Sequence, residues 1–326
     1  MEQRRWGDKP YYSLDHYFRS IYGEKVYKAA LHAGCTCPVR DGQLDVRGCI
    51  FCSAGGSGEF AATLPLTEDG KPDVEAQLDM AMRRIAEKFH GDHCIAYLQP
   101  YSNTYGDPAY LKNIYVSLLS DPRVIGLSIA TRPDCLPAEV LAVLRELKER
   151  FPQKSLWVEL GLQTIHPASI KYIRRHYDNS VFEDAVHKLK DLGIPVIVHC
   201  IIGLPGEDRE QLYSTIEYIN TFNVFGIKLQ LLHVLEGTDL AADYDARRFE
   251  VLSADEYISL LCGALERLSP DVVIHRLTGD GPRNILIAPL WSTDKKNILN
   301  RLHAHMESKG AYQGRLYTAP TGFTTI

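Results

Sequence analysis

Short, almost continuously apolar runs return along this chain at a nearly constant interval. They read HCIAYLQ, VIGLSIA, LWVELGL, IPVIVHCII and GIKLQLLH and start at residues 93, 124, 156, 194 and 226, so that the spacings are 31, 32, 38 and 32 residues. Amphipathic helical patterns lie between them, such as VEAQLDMAMRRIAEKF and PAEVLAVLRELKERF. This alternation predicts parallel βα units, and strands that are apolar on both faces predict a sheet covered on both sides.

One more strand, VYKAALHAG at 26–34, gives six predicted strands by residue 233. Six successive βα units favour an α/β fold built as a partial (βα)6 TIM-like barrel, and a doubly wound sheet is the alternative that stays open. We expect residues 1–25 to form an N-terminal extension, 26–250 the barrel, and 251–326 a C-terminal α/β extension that caps it.

Local signals mark several predicted helix ends. Pro137 stands at the start of one helix, and Gly193 has the position of a glycine just past the end of another. Ser253 and Glu256 have the spacing of a capping box, which predicts that a helix opens the C-terminal extension.

The loops that follow the predicted strands are polar or rich in glycine and proline. In a β/α barrel the catalytic groups come from these loops. We therefore predict an active site where the six loops converge. In chain order the loops contain the cysteine-rich segment 35–52, QPYSNTY, ATRPD, LQTIHP, GLPGE and LLHVLEGT.

The segment Cys35–Cys52, here named the cysteine loop, holds four of the eight cysteines. By contrast, Cys94, Cys200 and Cys262 lie in apolar patterns typical of buried small side chains. Four clustered thiols indicate a metal. Structural zinc is one possibility, and an iron–sulfur cluster is the other, because thiolate is its usual ligand.

Charge and hydropathy exclude some classes of protein. The net charge of −5 and the pI of about 6.2 are not those of a protein that binds nucleic acid over its whole surface. The apolar runs are too short to cross a bilayer, so no membrane association is expected. The polar start MEQRRWGDKPYYSLD has no signal sequence, which predicts a cytoplasmic location, where clustered cysteines bind metals more often than they form disulfides.

At these positions the chain resembles the radical S-adenosylmethionine (SAM) superfamily. The spacing Cys37-x₁₁-Cys49-x₂-Cys52 stands in place of the usual C-x₃-C-x₂-C signature, and its long first gap is similar to the branch that contains the catalytic subunit of Elongator. More narrowly, the chain resembles YhcC/YtqA-type proteins over about residues 10–305. The motifs that carry this resemblance are CPVRDG…RGCIFC, QPYSNTY, ATRPDCLP, ELGLQT, GLPGE and HRLTGDGP…LIAPLW.

The resemblance implies a [4Fe–4S] cluster held by Cys37, Cys49 and Cys52, with a fourth iron that chelates SAM. Reductive cleavage of SAM then gives a 5′-deoxyadenosyl radical, which abstracts hydrogen from a substrate. No catalytic residue beyond the cluster ligands is implied. A fourth thiolate would occupy the iron that SAM needs, so Cys35 is expected to be spare, and on a strand that continued to Cys37 both side chains would point to one side.

Ten polar residues at the ends of strands two to six are implied to contact SAM or the substrate. Four replace the glycine-containing segment that meets the SAM amino group, two face the ribose and methionine portions, one binds the carboxylate, one faces the ribose, and two lie near the adenine or the substrate. In that order they are Gln99, Ser102, Asn103 and Thr104; Glu159 and Gln163; Arg175; His199; and Gln230 and His233. Ala130 replaces a glutamate that is frequent before TRPD in the Elongator-like branch, so the resemblance does not supply a ribose contact from strand three.

We therefore predict a radical SAM enzyme acting on a small molecule, a peptide or, by analogy with Elongator, tRNA. A reductant such as flavodoxin or ferredoxin is the expected partner, whereas the oligomeric state and the reaction outcome are not defined by the sequence. His275, Arg276 and Asp280 are expected on the substrate side, with a capping turn as the alternative. The competing function is a non-enzymatic, zinc-stabilised βα scaffold.

Overall fold

The computed structural model describes residues 5–56, 65–89, 91–279 and 281–320. Its strands are β1 (Tyr27–Leu31), β2 (Cys94–Leu98), β3 (Val124–Thr131), β4 (Ser155–Gln163), β5 (Val196–Ile202), β6 (Gly226–Leu231), β7 (Val234–Leu235), β8 (Val273–Arg276) and β9 (Leu286–Ala288). Its helices are α1 (Leu14–Tyr22), α2 (Val74–Phe89), α3 (Pro108–Ser120), α4 (Ala138–Arg150), α5 (Pro167–Tyr172), α6 (Asn179–Asp191), α7 (Arg209–Asn220), α8 (Asp239–Asp245), α9 (Ala254–Arg267) and α10 (Lys295–Ser308).

The main sheet has the strand order β1-β2-β3-β4-β5-β6-β8, and β7 pairs with β9 in a small antiparallel ribbon. Parallel strands that follow each other in chain order, with helices between them, have the topology of a β/α barrel, whereas a doubly wound sheet reverses its strand order. The predicted partial barrel is confirmed. The observed sheet has one more strand than the six that were predicted. This strand is β8, which was expected in the C-terminal extension and pairs in parallel with β6.

The predicted helix-end signals are confirmed. Pro137 is the N-cap of α4, and Gly193 closes α6 at φ +62° with its N–H donating to the carbonyl of Lys190. Ser253 and Glu256 form the capping box of α9. Ser253, Glu256 and Gly193 pair with backbone groups that a helix end leaves without a partner. Pro137 makes no side-chain capping bond, and it suits a helix start because its φ is fixed and it has no N–H that would need a partner.

The chain divides into two compact units. The first unit consists of Tyr22–Gly161 and His176–Val196, and the second of the described residues in 5–21, 162–175 and 197–320. In the first unit, the parallel register sets Leu31 beside Leu98 and Leu98 beside Ile129. The loops that follow β1, β2 and β3 therefore leave the sheet along one edge.

In the second unit, residues 12–13 and Gln313 lie beside β8 and the residues that precede it. Ser13 bridges Ile274 in parallel, and the side chain of Gln313 accepts the N–H of Tyr12 while its amide donates to the carbonyls of Ser269 and Val272. Among the described residues, every helix is too short or too polar to span a bilayer. The boundaries predicted at residues 26 and 251 stay predictions.

Candidate active site

The cysteine loop is folded back on itself by main-chain hydrogen bonds. The N–H of Leu44 donates to the carbonyl of Pro38 at 2.8 Å, and that of Gly48 donates to Val39 at 2.7 Å. These bonds bring the stretch after Cys37 back to the stretch before Cys49. Because β1 ends at Leu31, the cysteines lie in irregular structure, and the alternation argument for Cys35 and Cys37 does not apply.

Cys37, Cys49 and Cys52 share one electrostatic environment. Burial raises the pKa of the Cys49 thiol to about 12, the Cys52 and Cys37 thiols add to the rise, and the guanidinium groups of Arg132 and Arg40 oppose it. Like charges raise a thiol pKa only when they lie close by. The structure thus brings together the three cysteines predicted as ligands.

Cys35 faces different neighbours. Burial alone raises the pKa of its thiol to about 12. Burial, and after it the Cys35 thiol, raise the pKa values of Tyr110 and Tyr115 on α3. Cys35 therefore lies on the α3 side of the loop, and its role as a spare thiol stays a prediction.

Among the described residues, no group of three or more His, Cys, Asp or Glu side chains is arranged to hold a single metal ion. A [4Fe–4S] cluster makes a different demand, because each thiolate binds its own iron and the sulfurs need not converge on one point. Three neighbouring thiols with two arginines beside them fit that chemistry, since cationic groups favour the thiolate form that binds iron.

Two arginines that the sequence interpretation did not select stabilise this region. Arg40 Nη2 donates to the carbonyls of Cys52 and Ser53, both at 2.6 Å. Arg132, which follows β3, is buried, forms a two-point ion pair with Asp134 at 2.9 and 2.6 Å, and lies over the ring of Tyr177. Their only sequence signal is their place inside CPVRDG and ATRPD.

The loop after β2 packs against the cysteine loop. Ser102 Oγ lies 3.4 Å from Cys37 Sγ, within the range of a hydroxyl–sulfur hydrogen bond, and it also lies beside the Cys135 thiol, another residue that sequence reasoning missed. Thr104 Oγ1 donates a hydrogen bond to the carbonyl of Cys135 at 2.5 Å and lies 2.5 Å from Thr131 Oγ1. Thr104 thus joins the loops after β2 and β3.

Asn103 and Gln99 lie in the same loop. The amide nitrogen of fully buried Asn103 lies within hydrogen-bond distance of three carbonyls, those of Leu98, Pro100 and Ala130, so that its two hydrogens are shared among them. Its Oδ1 is buried and has no hydrogen-bond partner within the described part of the chain. A buried acceptor without a donor is costly, so this atom suits a polar ligand group such as an ammonium. Gln99 directly follows β2 and is half-buried.

Glu159 is fully buried on β4. Its Oε1 lies 2.8 Å from Lys28 Nζ and accepts a hydrogen bond from Ser128 at 2.6 Å. Lys28 in turn lies over the rings of Tyr97 and Trp157, at 4.9 and 5.7 Å. The carboxylate predicted to face SAM is thus already paired inside the sheet, where a charge requires a partner.

In the second unit, Gln163 ends β4 in the left-handed region at φ +62°, which is uncommon for a residue other than glycine. Its Oε1 is buried and has no hydrogen-bond partner among the residues described. Arg175 Nη1 donates to the carbonyls of Leu162 and Thr164, and Thr164 Oγ1 donates to Glu207 of GLPGE. Backbone strain of this kind concentrates at functional sites.

His199 and Gln230 share one face of the sheet in the second unit. Ile201, two residues beyond His199 on β5, pairs with Gln230 on β6, and paired residues point to the same side. Both polar side chains are half-buried in strands that are otherwise almost fully buried. The structure therefore brings together these two predicted site residues.

His233 follows β6 and packs against the glycines of LTGDGP. A Cβ at Gly279 would lie 2.5 Å from the His233 ring, so this position accepts no side chain. His275 on β8 packs edge-on against Phe225. Arg276 lies opposite Lys228 of β6 in the register of the two strands. Asp280, also predicted on the substrate side, lies outside the described residues.

Comparison with known proteins gives related solved folds. The archaeal Elp3 of Methanocaldococcus infernus, lacking its N-terminus, superposes with a TM-score of 0.64 at 18% identity, over 88% of this chain and 64% of that one. At this identity the likeness concerns the fold. Elp3 is thus longer than the part that this chain matches.

Two sequence relatives cover nearly the whole chain, and a third covers 59% of it. YtqA of Bacillus subtilis is 41% identical over 310 residues, 95% of this chain and 94% of that protein. YhcC of Escherichia coli K12 is 31% identical over 92% of this chain and 94% of its own length. A tRNA uridine(34) acetyltransferase of Methanocaldococcus jannaschii is 26% identical, and the match spans 34% of that protein.

Two family models match successive parts of the chain. The model of the radical SAM C-terminal domain matches residues 224–308. The radical SAM superfamily model matches residues 46–219, which include Cys49 and Cys52 but not Cys37, because the match begins inside the long gap between Cys37 and Cys49. With more than half of its length matched by that model, and with relatives of 31–41% identity along nearly all of it, the chain belongs to the radical SAM superfamily.

Proposed function

We propose that this chain is an enzyme that binds a [4Fe–4S] cluster through Cys37, Cys49 and Cys52 and reductively cleaves SAM. The observation that carries the proposal is the folded cysteine loop, in which the N–H of Cys52 donates to the carbonyl of Cys49 at 3.0 Å and Arg40 donates to the carbonyl of Cys52 at 2.6 Å. The Cys37 thiol lies in the same electrostatic environment. The radical SAM superfamily uses such a cluster together with SAM, and membership is shown by the family match. When bound, the cluster supplies the electron that cleaves SAM.

The residues of the chain itself would hold and shield these groups. Arg40 and Arg132 would offset the negative charge of three thiolates in a partly buried setting, where that charge is otherwise costly. Asn103 Oδ1 and Gln163 Oε1 are buried acceptors suited to polar groups of SAM. The roles in SAM binding predicted for Gln99, Thr104, Glu159, Arg175, His199, Gln230 and His233 belong to this proposal.

Three substrate classes belong to the proposal: a small molecule, a peptide and tRNA. The match to a tRNA uridine(34) acetyltransferase supports the third, but only over a third of that protein's length. The expected electron donor is a small redox protein such as flavodoxin or ferredoxin. A zinc-stabilised scaffold is not favoured by the family match.

Anaerobic reconstitution tests the proposal. We expect about four iron and four sulfide per chain, and 5′-deoxyadenosine on addition of reductant and SAM. A reaction without reductant and a chain with alanine at Cys37, Cys49 and Cys52 are the controls. An intact cluster that neither binds SAM nor yields 5′-deoxyadenosine contradicts the proposal, and stoichiometric zinc in protein never exposed to oxygen supports the scaffold.

A further inference from the structure

Ser102 makes a contact that the expected SAM role does not explain. Its hydroxyl oxygen lies 3.4 Å from Cys37 Sγ, and the side chain is almost completely buried, with 1% of its surface exposed. We propose that Ser102 donates a hydrogen bond to the Cys37 thiolate and thereby raises the reduction potential of the cluster. This inference rests on the proposed function, because it takes Cys37 as a ligand.

The backbone around Ser102 is hydrogen-bonded to the start of the cysteine loop and to the residues that follow its end. On one side, the N–H of Ser102 donates to the carbonyl of Thr36, the residue before the ligand Cys37, at 3.2 Å. On the other side, Tyr101 donates through its N–H to Gly56 at 3.1 Å and through its hydroxyl to Ala54 at 2.5 Å. The backbone that carries the Ser102 side chain is therefore held by hydrogen bonds of the chain itself.

The strained conformation of Tyr101 supports the same conclusion. Tyr101 has φ +60°, and its ring lies so close to Gly56 that a Cβ there would be 2.5 Å from it. A residue keeps such a conformation only when its surroundings enforce it. The tight turn at Tyr101 allows the next residue, Ser102, to face Cys37.

A hydrogen bond to a ligand sulfur has a definite electronic consequence. It draws negative charge from the thiolate, and the reduced cluster carries one more electron than the oxidised cluster. The bond therefore stabilises the reduced state more strongly, and hydrogen bonds to the sulfurs are among the factors that set cluster potentials. In a buried site, water cannot replace the lost donor. Ser102 would thus ease reduction by the electron donor.

The test is a redox titration of the anaerobically reconstituted chain, followed by electron paramagnetic resonance, in the absence of SAM. The variants are Ser102→Ala, which removes the donor, and Ser102→Thr, which keeps a hydroxyl. Ser117→Ala is the matched control, because Ser117 on α3 loses a hydroxyl hydrogen bond to Glu75 away from the cysteine loop. Leaving out SAM separates this role from a SAM contact.

We expect Ser102→Ala to lower the equilibrium constant for reduction about tenfold, which is about 59 mV toward negative potential for a one-electron couple. Ser102→Thr and Ser117→Ala should stay at the wild-type potential. A full cluster with unchanged potential in Ser102→Ala overturns the inference.

Two further outcomes are also decisive. If Ser102→Ala fails to hold the cluster, the iron content of Ser102→Thr decides: retention supports a role for the hydroxyl, and loss shows that the position serves packing. A wild-type chain that takes up no iron and sulfide overturns the proposed function itself, and this inference with it.

Discussion

The guanidinium group of Arg175 is hydrogen-bonded to the main chain on both sides of Gln163. Its Nη1 atom lies 2.8 Å from the carbonyl oxygen of Leu162 and 2.8 Å from that of Thr164, the two residues that flank Gln163. Between these two bonds the backbone of Gln163 adopts φ +62°. The buried guanidinium of Arg175 thus fixes the backbone of Gln163, whose Oε1 is also buried. Loss of Arg175 is therefore expected to affect SAM binding also through the position of Gln163.

Arg175→Ala should lower both stability and SAM affinity while iron content stays normal. Loss of charge-assisted hydrogen bonds to buried carbonyls costs about 1.5–3 kcal/mol of unfolding free energy. Denaturant unfolding and equilibrium dialysis with SAM measure the two effects. Arg145→Ala, at an exposed position of α4, is the control. Unchanged SAM binding in Arg175→Ala would remove this residue from the site.

The variant Gln163→Gly separates the contribution of the Gln163 side chain to SAM binding from that of Arg175. Glycine accepts φ +62° without steric cost, so the backbone should keep its conformation while the side-chain amide is lost. We expect weaker SAM binding, measured as above, with wild-type iron content and no large loss of stability. If SAM binds as tightly as to the wild type, the amide of Gln163 does not contact it.

Arg40→Gln should weaken cluster retention. The change removes a cation beside Cys49 and Cys52 and two 2.6 Å bonds to the carbonyls of Cys52 and Ser53. Iron release after exposure to air should be several-fold faster than in the wild type. Arg47→Gln, at an exposed position of the same loop, should behave as the wild type. Equal rates of iron release from Arg40→Gln and Arg47→Gln would argue against a role for Arg40 in cluster retention.

The sequence predicts the barrel well and the side-chain partners less well. Strand periodicity and helix caps are local signals, so the strand order and the caps at Gly193 and Ser253 follow from them. The pairing of Glu159 with Lys28 joins residues 131 positions apart, and no local pattern encodes it. For the same reason, Arg132 and Cys135 emerge beside the ligands only when the loops after β1 and β3 are seen together.

Arg276→Ala should spare the cluster and SAM binding but impair substrate turnover. In the strand register, Arg276 lies opposite Lys228 on β6, the strand that also carries Gln230. The measurement is substrate-dependent formation of 5′-deoxyadenosine, with Arg283→Ala, at an exposed position of the following loop, as the control. Loss of folded protein would instead favour a capping turn.

Glu159→Ala should destabilise the chain by about 3 kcal/mol, because it leaves the ammonium of Lys28 in the sheet without its carboxylate. The double change Lys28→Met with Glu159→Leu should recover most of the loss, since apolar replacement of a buried pair is often tolerated. Urea unfolding measures both. Should the double variant fold well but bind SAM poorly, Glu159 has the ribose role as well.

Cys35→Ala should keep iron content and SAM cleavage, whereas alanine at Cys37, Cys49 or Cys52 should lose both. The reason is that Cys49 shares its electrostatic environment with Cys37 and Cys52, while Cys35 lies beside Tyr110 and Tyr115. Iron and sulfide analysis and 5′-deoxyadenosine formation, both under anaerobic conditions, are the measurements. An essential Cys35 with a dispensable Cys37 would refute the assignment. If all four cysteines are needed to retain metal, the iron that SAM requires is occupied, and the zinc scaffold becomes the better account.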